Sequence, residues 1–456
     1  MNPLTQFKKI RPLLIVIAVA LVFTRAVSAV TLPPGNTVQQ WNKIAEDTVV
    51  GSGAFQAEGF IYMAYVSAAV YDATVAIEGG FEPYGPPITA PPGASVDCAI
   101  IEASYRTLLY YFSSFPNLVT NLNDYYNQAL SNFGGCTADG GTGMAVGQTA
   151  ATNIIDLRDG DGRMTPIGVT SSFPTLPPGP GVWRLTPPFA PPQTPWVGNV
   201  RPFIALSLDQ FLPDSPPSLR RFEWVEAFNQ IKAYGALIGS VRTDEQTFIA
   251  QFWSANVVRS YNGAGRDLID ARGLGLLDTA RMAAMLNIVG ADALMSCFHA
   301  KYHYLFWRPV TAINGSLDPT AVTADGFGPV PGYDDGNPAT AEQSGWRPLL
   351  TTPNHPEYPA AHGTITSAMA EMFRTFLGTN RINLDIHGFD PAGPAGNLNA
   401  VRHYDMPNDL RDEIIYARLW AGLHYHFSSV AGVVLGRQVA KFDLRHAFQP
   451  VHGHHR

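Results

Sequence analysis

Over residues 276–306 apolar side chains recur at helical spacing without interruption, and no other segment constrains the architecture as strongly. A run of that length and period reads as one long helix, and such a helix needs other helices around it to cover its apolar faces. The rest of the chain supplies them. Helical periodicity covers residues 38–47, 59–77, 96–112, 117–132 and 143–158, then 219–238, 360–377, 409–418 and 424–442. Within 59–77, Phe60, Met63, Ala64, Ser67, Ala68, Tyr71 and Val75 mark the buried face, and the small residues permit close packing. Thr243 with Gln246 three residues on is a capping box, opening a helix expected to run to about Val258. Val, Ile and Thr nowhere alternate as strands do. The expected fold is mainly α, a helical bundle.

Two stretches lie outside that pattern. Lys8, Lys9 and Arg11 precede an apolar run, Leu13 to Phe23, and then Val27-Ser28-Ala29. This is the order of a secretory leader, so residues 1–29 are expected to be removed, leaving 30–456 as one helical domain. Past the leader, no stretch is expected to be long and apolar enough to cross a membrane. The expected location is secreted or periplasmic. Residues 165–217 are dense in Pro and carry no sustained period; a packed excursion pinned by Trp183, Trp196 and Phe203 is expected. Net charge is −7 with no long basic run, so nucleic acid is not an expected partner. Three cysteines leave a Cys98–Cys136 disulfide open, while Cys297, inside the long apolar segment, reads as a buried free thiol. The sequence leaves homo-oligomerisation open.

Chemistry concentrates in three places. Lys301 and Arg308 stand seven apart, almost two helical turns, and are expected on one helix face beside Tyr304, Phe306 and Trp307, with Pro309 ending the helix. In Pro353-Asn-His355-Pro-Glu-Tyr-Pro359-Ala-Ala361-His362-Gly, Pro359 is expected in the first turn of the next helix, whose unpaired N–H groups make an anion site holding His362. Arg418 and His424 are six apart and meet only if the helix breaks between them; Gly422 is the expected break. Together these offer three cations, helix-end amides and two histidines, the donor set of a site for a tetrahedral or trigonal-bipyramidal oxyanion.

These stretches resemble the signature of vanadium-dependent haloperoxidases and class A (type 2 phosphatidic acid) phosphatases: Lys, six residues, Arg-Pro; then Pro-Ser-Gly-His; then Ser-Arg, five residues, His. The resemblance extends to Pro-Gly-Val-Trp183-Arg, Val200-Arg-Pro-Phe203 and Arg242-Thr-Asp-Glu-Gln246. It implies vanadate as cofactor, held by Lys301, Arg308, Arg418 and the Ala361 amide. His424 is then the ligand to vanadium, or the nucleophile of a phosphatase, and His362 the acid–base group. The implied substrates are hydrogen peroxide, a halide and an organic acceptor. His355 and Phe298 are assigned to a halide pocket. Bromoperoxidases carry His where this chain has His355 and chloroperoxidases carry Phe, which leans towards bromide.

The pattern departs in three places: Ala360-Ala361 stand for Ser-Gly, Ala417 for the Ser before the arginine, and Ser428 for the Asp four after the axial histidine. Two other functions therefore stay open. One is a secreted acid phosphatase using His424. The other is an oxyanion-binding protein without catalysis. His299 and His303, four apart, offer a divalent-metal pair, but no third ligand is evident and Lys301 repels a cation.

Overall fold

The computed structural model describes residues 30–164, 176, 179–186, 191–314, 335–343 and 345–451. The expected leader lies outside these residues. Among them the helices are α1 (Thr37–Gly51), α2 (Gln56–Glu78), α3 (Val96–Phe112), α4 (Pro116–Asn132), α5 (Thr142–Leu157), α6 (Phe222–Tyr234), α7 (Asp244–Phe252), α8 (Val257–Arg272), α9 (Leu276–Tyr304), α10 (Pro309–Asn314), α11 (Ala361–Leu377), α12 (Pro407–Trp420) and α13 (His426–His446). The one sheet among the described residues is an antiparallel hairpin of β1 (Leu384–Gly388) and β2 (Ala400–Tyr404), in register from Leu384 opposite Tyr404 to Gly388 opposite Ala400.

The long segment is the axis of the fold. Helix α9 packs on α2, α11 and α13, and its middle, from Met282 to Phe298, is buried on every face. Contrary to the expectation from sequence, α2 and α9 are both long and apolar enough to span a bilayer, but 89% and 94% of their most apolar windows are buried inside the protein. A helix enclosed by other helices must be apolar all round, and composition alone does not separate it from a membrane span. The Thr243 capping box forms in both directions, Gln246 N–H to Thr243 Oγ1 at 3.2 Å and Thr243 N–H to Gln246 Oε1 at 3.0 Å.

Three expectations about local structure are corrected. The helix opened by Thr243 stops at Phe252, because Asn256 caps a separate helix, α8, through its side chain to Val258 N–H at 3.0 Å. The β1–β2 hairpin begins in a region, residues 379–399, whose sequence reads as loop; its first strand alternates buried and less buried residues over only five positions. Pro359 lies outside α11, which begins at Ala361 with Ala360 as its cap residue. The Cys98–Cys136 disulfide is formed, tying α3 to the turn after α4, and Cys297 is a buried free thiol.

The Pro-rich excursion is packed where it is described. Trp183 is fully buried and its N–H donates to Leu305 O at 2.7 Å; Trp307 N–H donates to Gly181 O at 3.1 Å. Further on, buried Asp292 of α9 accepts from Phe203, Ile204 and Ala205 N–H at 2.7, 2.8 and 3.1 Å.

Helices α11 and α13 approach so closely that Gly436 lies against the Thr364 main chain, where a Cβ would overlap the carbonyl oxygen. Gly436→Ala is therefore expected to destabilise the fold by about 1–3 kcal/mol. Urea unfolding measures it, and an unchanged midpoint would contradict the close approach.

Candidate active site

The three sequence stretches converge at the end of α9, the start of α11 and the break between α12 and α13. Lys301 is fully buried in the last turn of α9, where Nζ donates to Pro356 O at 2.9 Å and Glu357 O at 3.0 Å. The helix then stops: Leu305 turns left-handed at φ 49°, and its N–H closes on Lys301 O at 2.9 Å. Lys301 and Arg308 are thus not on one helix face, as the spacing suggests. Arg308 follows a non-helical segment, 305–307, held between residues 181–183 and Glu357, whose N–H donates to Phe306 O at 2.9 Å. Pro309 starts α10 rather than ending α9, and Phe306 and Trp307 pack with Trp224 and Tyr425 into an apolar cluster.

Arg308 is completely buried. Its Nε donates to His355 O at 2.9 Å and its guanidinium to Leu423 O at 3.0 Å, His355 Nδ1 at 2.9 Å and His424 Nε2 at 3.3 Å. Arg418, in the last turn of α12, gives one N–H to Trp253 O at 3.1 Å. After it the chain turns at Gly422, φ 77°, against Gly235 and Pro348, and His424 N–H donates to Arg418 O at 3.3 Å. A residue with a side chain is strained in that backbone region and has no room there. The break expected at Gly422 is what brings Arg418 and His424 together.

The fourth contributor was not marked as functional by its sequence. Glu357 Oε1 accepts from His424 Nδ1 at 2.9 Å and from Tyr425 N–H at 3.0 Å. It is the carboxylate in the His355–Pro359 stretch, and that was the available signal. The two ring contacts assign the imidazole tautomer: Nδ1–H faces a carboxylate, and Nε2 faces a donor and keeps its lone pair. Ser428 supplies no carboxylate; its hydroxyl donates to Glu357 O at 3.4 Å.

His362 is the second residue of α11 and is half-buried. Ala361 and His362 precede Thr364, whose N–H makes the bond to Ala360 O at 3.1 Å, so the first-turn amides are oriented outward from the helix start. A cavity of about 270 Å³ opens here. Its lining combines His355, Ala361, His362, Arg418 and His424 with the apolar Phe55, Val257, Leu294, Phe298 and Ile365. His355 lies against Phe298 and Phe55, ring centres 5.3 and 6.0 Å away, and those two rings contact each other at 6.1 Å, so the pair expected to form a halide pocket is adjacent. His299 and His303 do not make a metal site: His299 contacts Gly198 O and Asp209, and the described residues hold no group of three metal-binding side chains.

Burial sets the electrostatics. It pulls Lys301 down to about 7 and Arg308 and Arg418 to about 10 and about 9, so both arginines stay ionised at neutral pH. It pushes Glu357 up to about 7. Burial, and then the neighbouring cations, hold His355, His362 and His424 neutral, well below the usual histidine range. Arg418 Nε and His362 Nε2 are buried without a partner among the described residues. Three buried cations against one carboxylate, with two unfilled polar nitrogens, fit an oxyanion that also accepts a nitrogen ligand.

Residues 281–453 match the family described as VCPO second helical-bundle domain. Vanadium chloroperoxidase from Curvularia inaequalis is 24% identical over 303 residues, covering 54% of this chain and 47% of that protein, so the chain spans about half the length of that relative. A bacterial vanadium-dependent iodoperoxidase superposes with a TM-score of 0.71 at 19% identity, covering 92% of this chain and 99% of the other. The holo form of a bacterial vanadium-dependent chloroperoxidase superposes with a TM-score of 0.64 at 15% identity, covering 91% and 99%. These structural likenesses establish the fold.

As pH rises through 7, Lys301 loses a positive charge and Glu357 gains a negative one. Both changes weaken anion binding, and the three neutral histidines do not offset them. Sulfate, whose own charge is fixed near neutrality, is expected to bind progressively more weakly from about pH 6 to about pH 8. Lys301→Met should bind it more weakly at the acid end and with a flatter profile. Calorimetric titration of sulfate is the check, and affinity that rises with pH would contradict the assignment.

Proposed function

We propose that the chain is a member of the vanadium haloperoxidase superfamily and a vanadate-dependent haloperoxidase, oxidising a halide with hydrogen peroxide to hypohalous acid. The observation that carries the reading is the pairing of an under-compensated cation cage with a histidine whose unprotonated Nε2 faces it. Lys301, Arg308 and Arg418 would hold the vanadate oxygens, with the Ala361 amide in support, and His424 Nε2 would ligate vanadium. When bound, vanadate supplies the Lewis acidity that makes peroxide electrophilic towards halide.

The remaining work belongs to the chain. The cations are fixed by backbone carbonyls before any ligand arrives, so no reorganisation is needed when charge develops. His362 is neutral and its Nε2 is unpartnered, so it can take a proton from hydrogen peroxide and return it to the departing oxygen. Phe55, Val257, Leu294 and Phe298 keep part of the lining apolar and strengthen each charge interaction in the cavity. The substrates are small: peroxide, halide and an organic acceptor. The leader-like N-terminus supports secretion or export to a periplasm.

Bromide is the halide favoured over chloride, because His355 rather than an aromatic hydrocarbon ring stands beside Phe55 and Phe298. His355→Phe is expected to lower the ratio of bromide to chloride turnover several-fold, as read from dye halogenation with each halide. An unchanged ratio would remove His355 from the selectivity.

A phosphatase reading has one observation in its favour: a carboxylate-held imidazole with an unprotonated Nε2 also suits a phosphoryl acceptor. A paired assay separates the two. Dye halogenation that requires added vanadate, and that falls to background in His424→Ala with helical content intact, is the expected result. Phosphate-ester hydrolysis inhibited by vanadate, with no halogenation, would reassign the site. Silence in both would leave an oxyanion-binding protein.

A further inference from the structure

We propose that Glu357 is the positioning residue of this site, fixing His424 in the one tautomer and orientation that presents Nε2 to the bound oxyanion; the inference rests on the vanadate reading above. Glu357 is completely buried, yet it does not line the cavity. It therefore acts on a bound anion through His424. One carboxylate oxygen, Oε1, takes both His424 Nδ1–H and Tyr425 N–H, at 2.9 and 3.0 Å. Two anchors on adjacent residues set where the ring begins and which way it faces. The other oxygen, Oε2, has no partner among the described residues. A buried carboxylate is costly to keep, and one half-satisfied is costlier, so packing alone does not account for it. Its main chain serves the same site: the Glu357 carbonyl accepts from Lys301 Nζ at 3.0 Å. One residue thereby sets the nitrogen ligand and one of the cations.

The carboxylate does two physical things. It makes Nδ1 the protonated nitrogen, so the lone pair lies on Nε2. Its charge also raises the electron density at that lone pair, which strengthens a bond from nitrogen to a metal centre. A simple anion that makes no such bond gains nothing from either effect. It is repelled by the nearby carboxylate instead.

The test uses the full mature chain, with orthovanadate and sulfate as separate probes, titrated without peroxide or halide. Glu357→Gln keeps the shape and an acceptor oxygen but removes the charge. Vanadate affinity is expected to fall about 10–100-fold, while sulfate affinity stays level or rises. Glu357→Asp, which restores the charge, should recover part of the vanadate affinity. Nitrogen-15 shifts of His424, assigned by comparison with His424→Ala, should show a lone pair on Nε2 in the wild type and a mixed tautomer in Glu357→Leu, which removes the acceptor. Unchanged vanadate affinity in Glu357→Gln would overturn the proposal. So would loss of both anions in Glu357→Gln together with an unchanged tautomer in Glu357→Leu, since that is the mark of a structural prop. If the wild type binds sulfate but not vanadate, the haloperoxidase reading fails on its own. The histidine shifts still decide the role of Glu357, and a proton on Nε2 would end it.

Discussion

Three positive charges are held out of water by main-chain carbonyls rather than by acidic side chains. Pro356 O and Glu357 O take Lys301, His355 O and Leu423 O take Arg308, and Trp253 O takes Arg418. A carbonyl orients a cation without neutralising it, so the site keeps its attraction for an anion. Counter-carboxylates would have produced a more comfortable interior and an inert one. Much of the fold follows from that requirement. The carbonyls must be held by rigid backbone, which is why the 355–357 segment lies between the 305–308 segment and the start of α11.

The same constraint explains the neutral histidines. In water each would be partly protonated near neutrality, but here burial and adjacent cations hold all three neutral. A neutral imidazole among cations keeps a lone pair, and a lone pair is what both ligation and proton acceptance need. Cage and histidines therefore depend on each other. The arginines prevent the histidines from charging, and the uncharged histidines leave the cationic field for a ligand.

The site was more legible in the sequence than its scaffold was. Lys301, Arg308, Ala361, His362, Arg418 and His424 meet because the block spacings encode short-range geometry, and Gly422 marks its own break through the backbone conformation only glycine takes easily. The route of Arg308 was not legible. Leu305 is left-handed without being Gly or Asn, so nothing in the composition marks where α9 ends. Helix α8 was hidden because its pattern begins only a few residues after α7, and the break rests on one Asn256 side chain. The hairpin strands are too short for alternation to stand out. Glu357 was invisible for another reason: its partner His424 is 67 positions away, and local spacing says nothing about such a contact.

The clamp on residues 305–307 is made almost wholly of main-chain bonds, from Gly181, Trp183 and Glu357. Such bonds are indifferent to side-chain identity. The Pro-rich excursion can therefore drift in sequence around its buried tryptophan while still aligning the arginine that follows the clamp. Relatives could share this device with no recognisable residue pattern there. Grafting only the three motif blocks onto another bundle would leave the guanidinium without the wall that aims it.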